Sequence, residues 1–203
     1  AISQVRKKQG GTLNDVVLAT VSGAIRAYLG DHGTDVSKID FRAFVPVSTR
    51  KAEERGKLGN KVSMLVADLP VSEPDARKRF EKVVIETRRL QEAGESAGAG
   101  ILGEVSDWTT TSLLSGMSRM AAARRSYNMV VTNVPGPPMP IYVNGGRLLA
   151  SYPLVPLFDN QALGIALFSY DGSLHWGFNA CWDAVPDLHD VVGAIEREFD
   201  TLL

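Results

Sequence analysis

Met129-Val130-Val131-Thr132-Asn133-Val134-Pro135-Gly136-Pro137-Pro138-Met139-Pro140 is the stretch on which the reading of this chain turns. Val130 and Val131, β-branched and uncharged, read as a short buried strand. The strand runs into Thr132 and Asn133, which carry a hydroxyl and an amide. Pro135, Pro137, Pro138 and Pro140 then end any ladder, because proline has no N–H to donate and fixes its own φ. Two readings stand on these residues alone. The strand end either aims hydrogen-bonding side chains into a cleft or leads into a proline-rich surface loop whose turn chemistry explains every residue.

Downstream, Ile141-Tyr142-Val143 breaks at Asn144-Gly145-Gly146, a turn signal, and Arg147-Leu148-Leu149 reads as another strand. Residues 161–170 and 173–182 are strand-like runs joined by Asp171-Gly172, the strongest hairpin signal in the chain. Period two places His175, Gly177, Asn179 and Cys181 on one face of the second run. It places Trp176, Phe178, Ala180 and Trp182 on the other, which is expected to be buried. Pro186-Asp187 starts a last helix with Val191, Val192, Ile195, Phe199 and Leu202 as its apolar stripe.

Upstream, Thr12 is positioned to cap a helix, with Asp15 three residues on as the capping-box acid. Leu13, Val17, Val21, Ala24, Ile25 and Tyr28 recur at helical spacing, and Gly30 is expected to stop the run. Asn14 and Asp15 thus sit in a first turn, facing a reaction site or serving the cap. Residues 39–47 read as a strand ending at Ser48-Thr49-Arg50, and a charged loop from Lys51 to Lys57 leads to Gly59-Asn60. A second strand follows through Val62, Met64 and Val66 to Leu69. Pro74 suits the first turn of a long helix, with Phe80, Val83, Val84, Thr87 and Leu90 on one face. Its other face carries Arg77, Lys78, Lys82, Arg88 and Arg89, which read as a solvated face, with attraction of a coenzyme's phosphates as the alternative. Residues 93–100 read as a flexible loop, and a further helix is expected over about 101–124, with Met117 and Met120 as core filler. The pattern predicts one α/β domain. Its mixed sheet is built from strands around Phe44, Met64, Val131, Leu148, Ala166 and Phe178, with helices mainly on one face.

Composition narrows the classes of function. With 203 residues and 44% hydrophobic content the chain is long enough for one sizeable core. A formal net charge of -1 gives no sign of a nucleic-acid partner. The single cysteine, Cys181, rules out an internal disulfide framework and fits a reducing, cytoplasmic setting. No apolar run is long enough for a transmembrane helix. The polar opening Ala1-Ile2-Ser3-Gln4-Val5-Arg6-Lys7-Lys8 is no signal peptide, and the chain reads as part of a longer polypeptide.

Self-sufficient catalysis finds little support. The 3 histidines are His32, His175 and His189. His175 and Cys181 share a strand face, but about 20 Å of strand separates them, which rules out a dyad. No Gly-x-Ser-x-Gly elbow, no Gly-Lys-Ser/Thr phosphate loop and no metal-ligand spacing occur.

Several motifs in order carry a resemblance. They are Thr12-Leu13-Asn14-Asp15-Val16-Val17-Leu18-Ala19, Phe44-Val45-Pro46-Val47-Ser48-Thr49-Arg50, Leu58-Gly59-Asn60, and Thr132-Asn133-Val134-Pro135-Gly136-Pro137. Together they resemble the C-terminal domain of the bacterial wax ester synthase/acyl-CoA:diacylglycerol acyltransferase family. Tyr170-Asp171-Gly172-Ser173-Leu174 and Phe178-Asn179-Ala180-Cys181-Trp182-Asp183 look like that domain's last hairpin. The match runs over nearly the whole chain, residues 1–203. More distantly the chain resembles a chloramphenicol-acetyltransferase-like half, a two-layer α/β sandwich with a mixed sheet.

The resemblance implies half of an O-acyltransferase. In that family a His-His-x-x-x-Asp-Gly signature, missing here, lies in the N-terminal half. A long-chain acyl group moves from acyl-CoA, a substrate and not a permanently bound cofactor, to diacylglycerol or a fatty alcohol. Partners would be the N-terminal half of the same enzyme, these substrates, and a membrane or lipid inclusion at the periphery. Thr132, Asn133, Asn14 and Asp15 are the implied catalytic contacts. Ser48, Arg50, Gly59, Asn60, Val134, Pro135 and Gly136 would shape the substrate mouth. The isolated chain would be inactive and would expose an apolar surface to the missing half. The related plant acyltransferases carry Asp-Phe-Gly-Trp-Gly near where this chain has Asn144-Gly145-Gly146-Arg147, which limits transfer from them. A non-catalytic binding or scaffold domain of the same fold is the other class of function left open.

Overall fold

The structure, a computed structural model, describes residues 1–48, 62–96 and 127–203. The expected helix over 101–124 and the loop around Lys51–Lys57 lie outside the described residues. The elements in chain order are helices α1 (Ile2–Gln9) and α2 (Leu13–Asp31), a single 3₁₀ turn (Val36–Lys38), strands β1 (Phe41–Ser48) and β2 (Val62–Leu69), and helix α3 (Ala76–Ser96). Strands β3 (Met129–Pro135), β4 (Tyr142–Val143), β5 (Gly146–Arg147), β6 (Leu163–Tyr170) and β7 (Ser173–Ala180) follow, then helix α4 (Leu188–Leu202).

Among the described residues, five strands form one mixed sheet in the order β2-β1-β3-β6-β7. β1, β3 and β6 run parallel, so their carboxyl ends share one edge, and β2 and β7 close the sheet antiparallel. Strand alternation sorts the faces. Ala43 and Val45, Met129 and Val131, and Leu163, Ile165 and Leu167 join the helices in one core. Leu174, Trp176 and Phe178 of the edge strand β7 pack against it half-buried. On the other face of β7, Asn179 Nδ2 donates to the Val155 carbonyl at 2.6 Å, and the Tyr152 ring meets His175 edge-on. Helices therefore cover one face, as expected, while an extended segment crosses the other near β7.

α2 is the central helix, packed between α3 and α4, and residues Asp15 to Ile25 are buried. Thr12 and Asp15 form the expected capping box. The helix does not stop at Gly30 but runs to Asp31 and is capped at His32. Tyr28 Oη donates to Asp187 Oδ1 at 2.6 Å and His32 Nε2 faces Asp187 Oδ2 at 2.8 Å, which clasps the end of α2 to the start of α4. α3 begins two residues after Pro74, and the Lys78 amide donates to Asp75 Oδ1 at its start. It also continues through Ser96, into residues that read as loop. Arg79, in the apolar stripe of α3, is buried and pairs with Glu198 of α4. Gly23 of α2 lies beneath that pair, where an added Cβ would overlap the Glu198 carboxylate.

Two strand expectations need correction. The strand around Leu148 is not in the main sheet: β4 and β5 form a separate two-residue hairpin, and Leu148 follows it, donating its amide to the Ile141 carbonyl. Prolines 137, 138 and 140 before it and 153 and 156 after it confine the proline-free run to residues 141–152, which the short hairpin takes up. The Tyr170 hydroxyl, donating to the Leu148 carbonyl and accepting from the Ile141 amide, pins the hairpin instead. Trp182, expected in the core, is 76% exposed, because β7 ends at Ala180 and strand alternation no longer governs it.

Candidate functional site

The carboxyl edge of β1, β3 and β6 is where open α/β sheets place ligands, since the strand ends and the helix starts diverge there. The first turn of α2 reaches the same edge. It brings together two residues singled out from sequence: Asn133 Nδ2 donates to Asn14 Oδ1 at 2.9 Å. Asn133 Oδ1 is buried and has no hydrogen-bond partner among the described residues. Thr132, one residue earlier, alternates to the opposite face with Val130 and Val134. The two neighbours do not point to one place.

Asp15, 2% exposed, has both carboxylate oxygens occupied. Oδ2 accepts from the Thr12 amide and Oδ1 from the Thr87 hydroxyl of α3, each at 2.6 Å. It holds the start of α2, and therefore Asn14, against α3. Val134 and Pro135 end β3 exposed. Gly136 makes the turn: its amide donates to Ser169 Oγ at 3.1 Å, and a Cβ there would run into the Ser169 carbonyl oxygen and the Phe168 ring. Glycine is the residue that lets the proline loop lie this close to β6. Ser48 ends β1 opposite Val62. Arg50, Gly59 and Asn60 lie outside the described residues.

A cleft of about 880 Å³ opens between the β6–β7 hairpin, α1 and α4, and neither Asn14 nor Asn133 lines it. Leu13 and Gly136 line it, neighbours in sequence of Asn14 and of the β3 end, and so do Trp176, Phe178, Val192 and Phe199. Sequence reading missed it, having put Trp176 and Phe178 in a closed core. The available signal was positional: β7 is an edge strand. Arg79 was missed too, although its spacing to Val83 and Thr87 set a cation inside an apolar stripe. Further exposed apolar side chains lie on the proline loop and beyond it: Met139, Tyr142, Val143, Leu149 and Leu154, with Tyr152 at the cleft itself.

Residues 58–203 match the family model described as the WS/DGAT C-terminal domain. Over 198 residues the chain is 34% identical to an O-acyltransferase WSD of Acinetobacter baylyi, covering 96% of this chain and 42% of that protein. It is 30% identical to a probable diacylglycerol O-acyltransferase, tgs1, of Mycobacterium tuberculosis, with the same coverage. Among solved structures, the wax ester synthase/diacylglycerol acyltransferase of Marinobacter aquaeolei VT8 superposes with a TM-score of 0.74 at 26% identity. That match covers 99% of this chain and 45% of the other. A condensation domain of the calcium-dependent antibiotic synthetase, at 16% identity and a TM-score of 0.51, shares the fold. The chain thus spans less than half the length of these relatives. No helix among the described residues is long and apolar enough to cross a membrane.

Proposed function

The chain belongs to the WS/DGAT C-terminal domain family, and from that premise we propose that it is the C-terminal half of an O-acyltransferase that moves a long-chain acyl group from acyl-CoA to diacylglycerol or a fatty alcohol. The observation that carries this reading is the Asn14–Asn133 pair at the carboxyl edge of the parallel strands. Families of this name act on a thioester and a hydroxyl, and such chemistry needs neutral donors for an oxyanion. The pair supplies them from two rigid elements, a helix start and a strand end.

The base is a histidine on the N-terminal half, outside this chain. It takes the proton of the acceptor hydroxyl, and the alkoxide oxygen adds to the thioester carbonyl to give a tetrahedral oxyanion. Collapse breaks the C–S bond, and the coenzyme A thiolate leaves with the proton held by the histidine. Asn133 Nδ2 gives one of its two N–H groups to Asn14 Oδ1, and the Asn14 amide N–H₂, held by that bond, is the donor for the oxyanion. Asn133 holds Asn14, and Asp15 fixes the helix turn that carries it. Thr132, on the other face, serves the tunnel wall. Ser48, Arg50, Gly59, Asn60, Val134, Pro135 and Gly136 shape the substrate mouth. The exposed apolar side chains from Met139 to Leu154 are the surface on which the other half packs.

A thioester-cleavage assay with acyl-CoA and hexadecanol or a diacylglycerol tests the reading. The intact gene product is expected to turn over, and this chain alone is not. Turnover by the chain alone, or none by the intact protein, would overturn it.

A further inference from the structure

We propose that Thr87 of α3 is a positioning residue for acyl transfer: its hydroxyl, acting through the Asp15 carboxylate, fixes the direction in which the Asn14 amide points. The inference rests on the reading of Asn14 as the oxyanion donor and adds to it the element that aims that donor. Thr87 stands in the apolar stripe of α3 with Phe80, Val83, Val84 and Leu90. Its Oγ1 has two acceptors in reach, the Asp15 carboxylate at 2.6 Å and the Val84 carbonyl at 3.1 Å. A hydroxyl has a single proton to give, and the shorter contact, to a carboxylate, takes it.

Two side-chain bonds join the first turn of α2 to other elements among the described residues. Asn133 of β3 donates to Asn14, and Thr87 of α3 donates to Asp15. The capping box, by contrast, lies within residues 12–15, so it shapes the turn without fixing where the turn sits. Adjacent positions on a helix face directions about 100° apart. One tether alone would let the turn pivot about the Asn14–Asn133 bond. A second tether at a wide angle to the first blocks that rotation. Packing around the second tether is close. Gly11 has a φ of 79°, and a Cβ there would lie 3.0 Å from Asp15 Oδ2, 3.0 Å from the Phe80 ring and 3.2 Å from Val84. Phe80, Val84 and Thr87 therefore bear on the start of α2 from one face of α3. Beside them a cavity of about 30 Å³, room for about one water, is bordered by Asn14, Asp15, Thr87 and Gln91. Without the Thr87 hydroxyl, the carboxylate and its neighbouring amide have that space to swing into. Loss of the bond then shows in the aim of Asn14 more than in the fold.

The test uses the intact gene product, with kcat and KM for transfer from acyl-CoA and Tm measured on each preparation. Thr87→Val keeps the side-chain shape and deletes the hydroxyl. A displacement of about 1 Å at a reacting group costs up to about 10²-fold, so kcat should fall about 10- to 10²-fold with KM little changed. Tm should drop by only about 2–4 °C, the effect of one lost hydrogen bond in a chain of this size. Thr87→Ser retains the hydroxyl and should recover most of the lost kcat. In an Asn14→Ala background Thr87→Val should lower kcat no further while still lowering Tm, because the donor it aims is already gone. Should Thr87→Val not fold, Thr87→Ala set against Thr87→Ser makes the same comparison. An unchanged kcat in the folded variant overturns the inference. So does a loss that Thr87→Ser does not recover, or a double variant in which the two effects on kcat multiply. An unchanged kcat in Asn14→Ala removes the donor reading and this inference with it. A fall in kcat for Asn14→Ala without one for Thr87→Val keeps the donor and removes the positioning role alone.

Discussion

Asn133, near the end of β3, donates its amide to Oδ1 of Asn14 at 2.9 Å across 119 positions of sequence. One is in the strand on which the sequence reading turned, and the other is in the first turn of the central helix. Either truncation removes the same bond, so Asn14→Ala and Asn133→Ala are each expected to lower stability by about 1 kcal/mol. The double variant should lose less than the sum. Denaturant midpoints of the four proteins in the cycle measure this, and strict additivity would show that the two amides do not act together.

The Arg79–Glu198 pair joins α3 to α4 in the interior, with side chains 3% and 14% exposed. Removing one partner strands a buried charge, a loss of about 3–5 kcal/mol. Arg79→Ala should lower Tm by roughly 10 °C in a chain of this size. Arg79→Met combined with Glu198→Leu should recover most of it, because an apolar pair leaves no charge uncompensated. Gly23→Ala, which displaces the carboxylate, should also be destabilising. Thermal melts of these variants check the set.

His32 is held above its ordinary pKa, first by the Tyr28 carbonyl at one ring nitrogen and further by the Asp187 carboxylate at the other. Raised folded pKa values favour the protonated state, so the clasp is complete below about pH 6.5, the unfolded value. It is lost as pH rises through the raised folded value. Asp187 is lowered, first by the Tyr28 hydroxyl, so its share is present above its unfolded value and lost as pH falls through the lower one. Tyr28 itself is pushed up to about 12 by burial and by Asp187, and its share is lost only in strong alkali. Tm followed from pH 5 to 9 (about two units either side of neutral) should fall more in the wild-type protein than in His32→Gln.

Tyr170, 2% exposed, ties the β4–β5 hairpin to the core through one hydroxyl with two backbone partners. Tyr170→Phe removes both of these part-buried bonds and should cost about 1–3 kcal/mol. Amide exchange at Ile141 should accelerate more than at Ile165 in the centre of the sheet, which hydrogen-exchange mass spectrometry resolves.

Local chemistry was legible in the residues. Thr12 and Asp15 announced a capping box that formed, and Asp171-Gly172 announced a hairpin whose two turn residues adopt φ of 45 and 78. The mixed sheet, the helices on one face and the family were also read from the chain. Less legible was what depends on neighbours distant in sequence. Trp182 looked like core only while β7 was extended two residues too far. The segment around Leu148 had the composition of a strand, but its place was decided by Tyr170 and the flanking prolines. Arg79 was counted in no functional or core set because its partner lies on α4. For the site, Asn14 and Asn133 were both singled out, yet nothing in the sequence said that they touch. The cleft between β7 and α4 depends on how far α4 covers an edge strand, which no periodicity encodes.

The central claim is that the Asn14–Asn133 pair holds a donor for the acyl-transfer oxyanion. The direct measurement is kcat for transfer from acyl-CoA by the intact gene product bearing Asn14→Ala, with KM and Tm determined on the same preparation. Loss of a donor used only in the transition state predicts a fall in kcat of about 10²–10³-fold with KM little changed. An unchanged kcat with a lowered Tm would contradict the claim and leave the pair as a structural tie between α2 and β3.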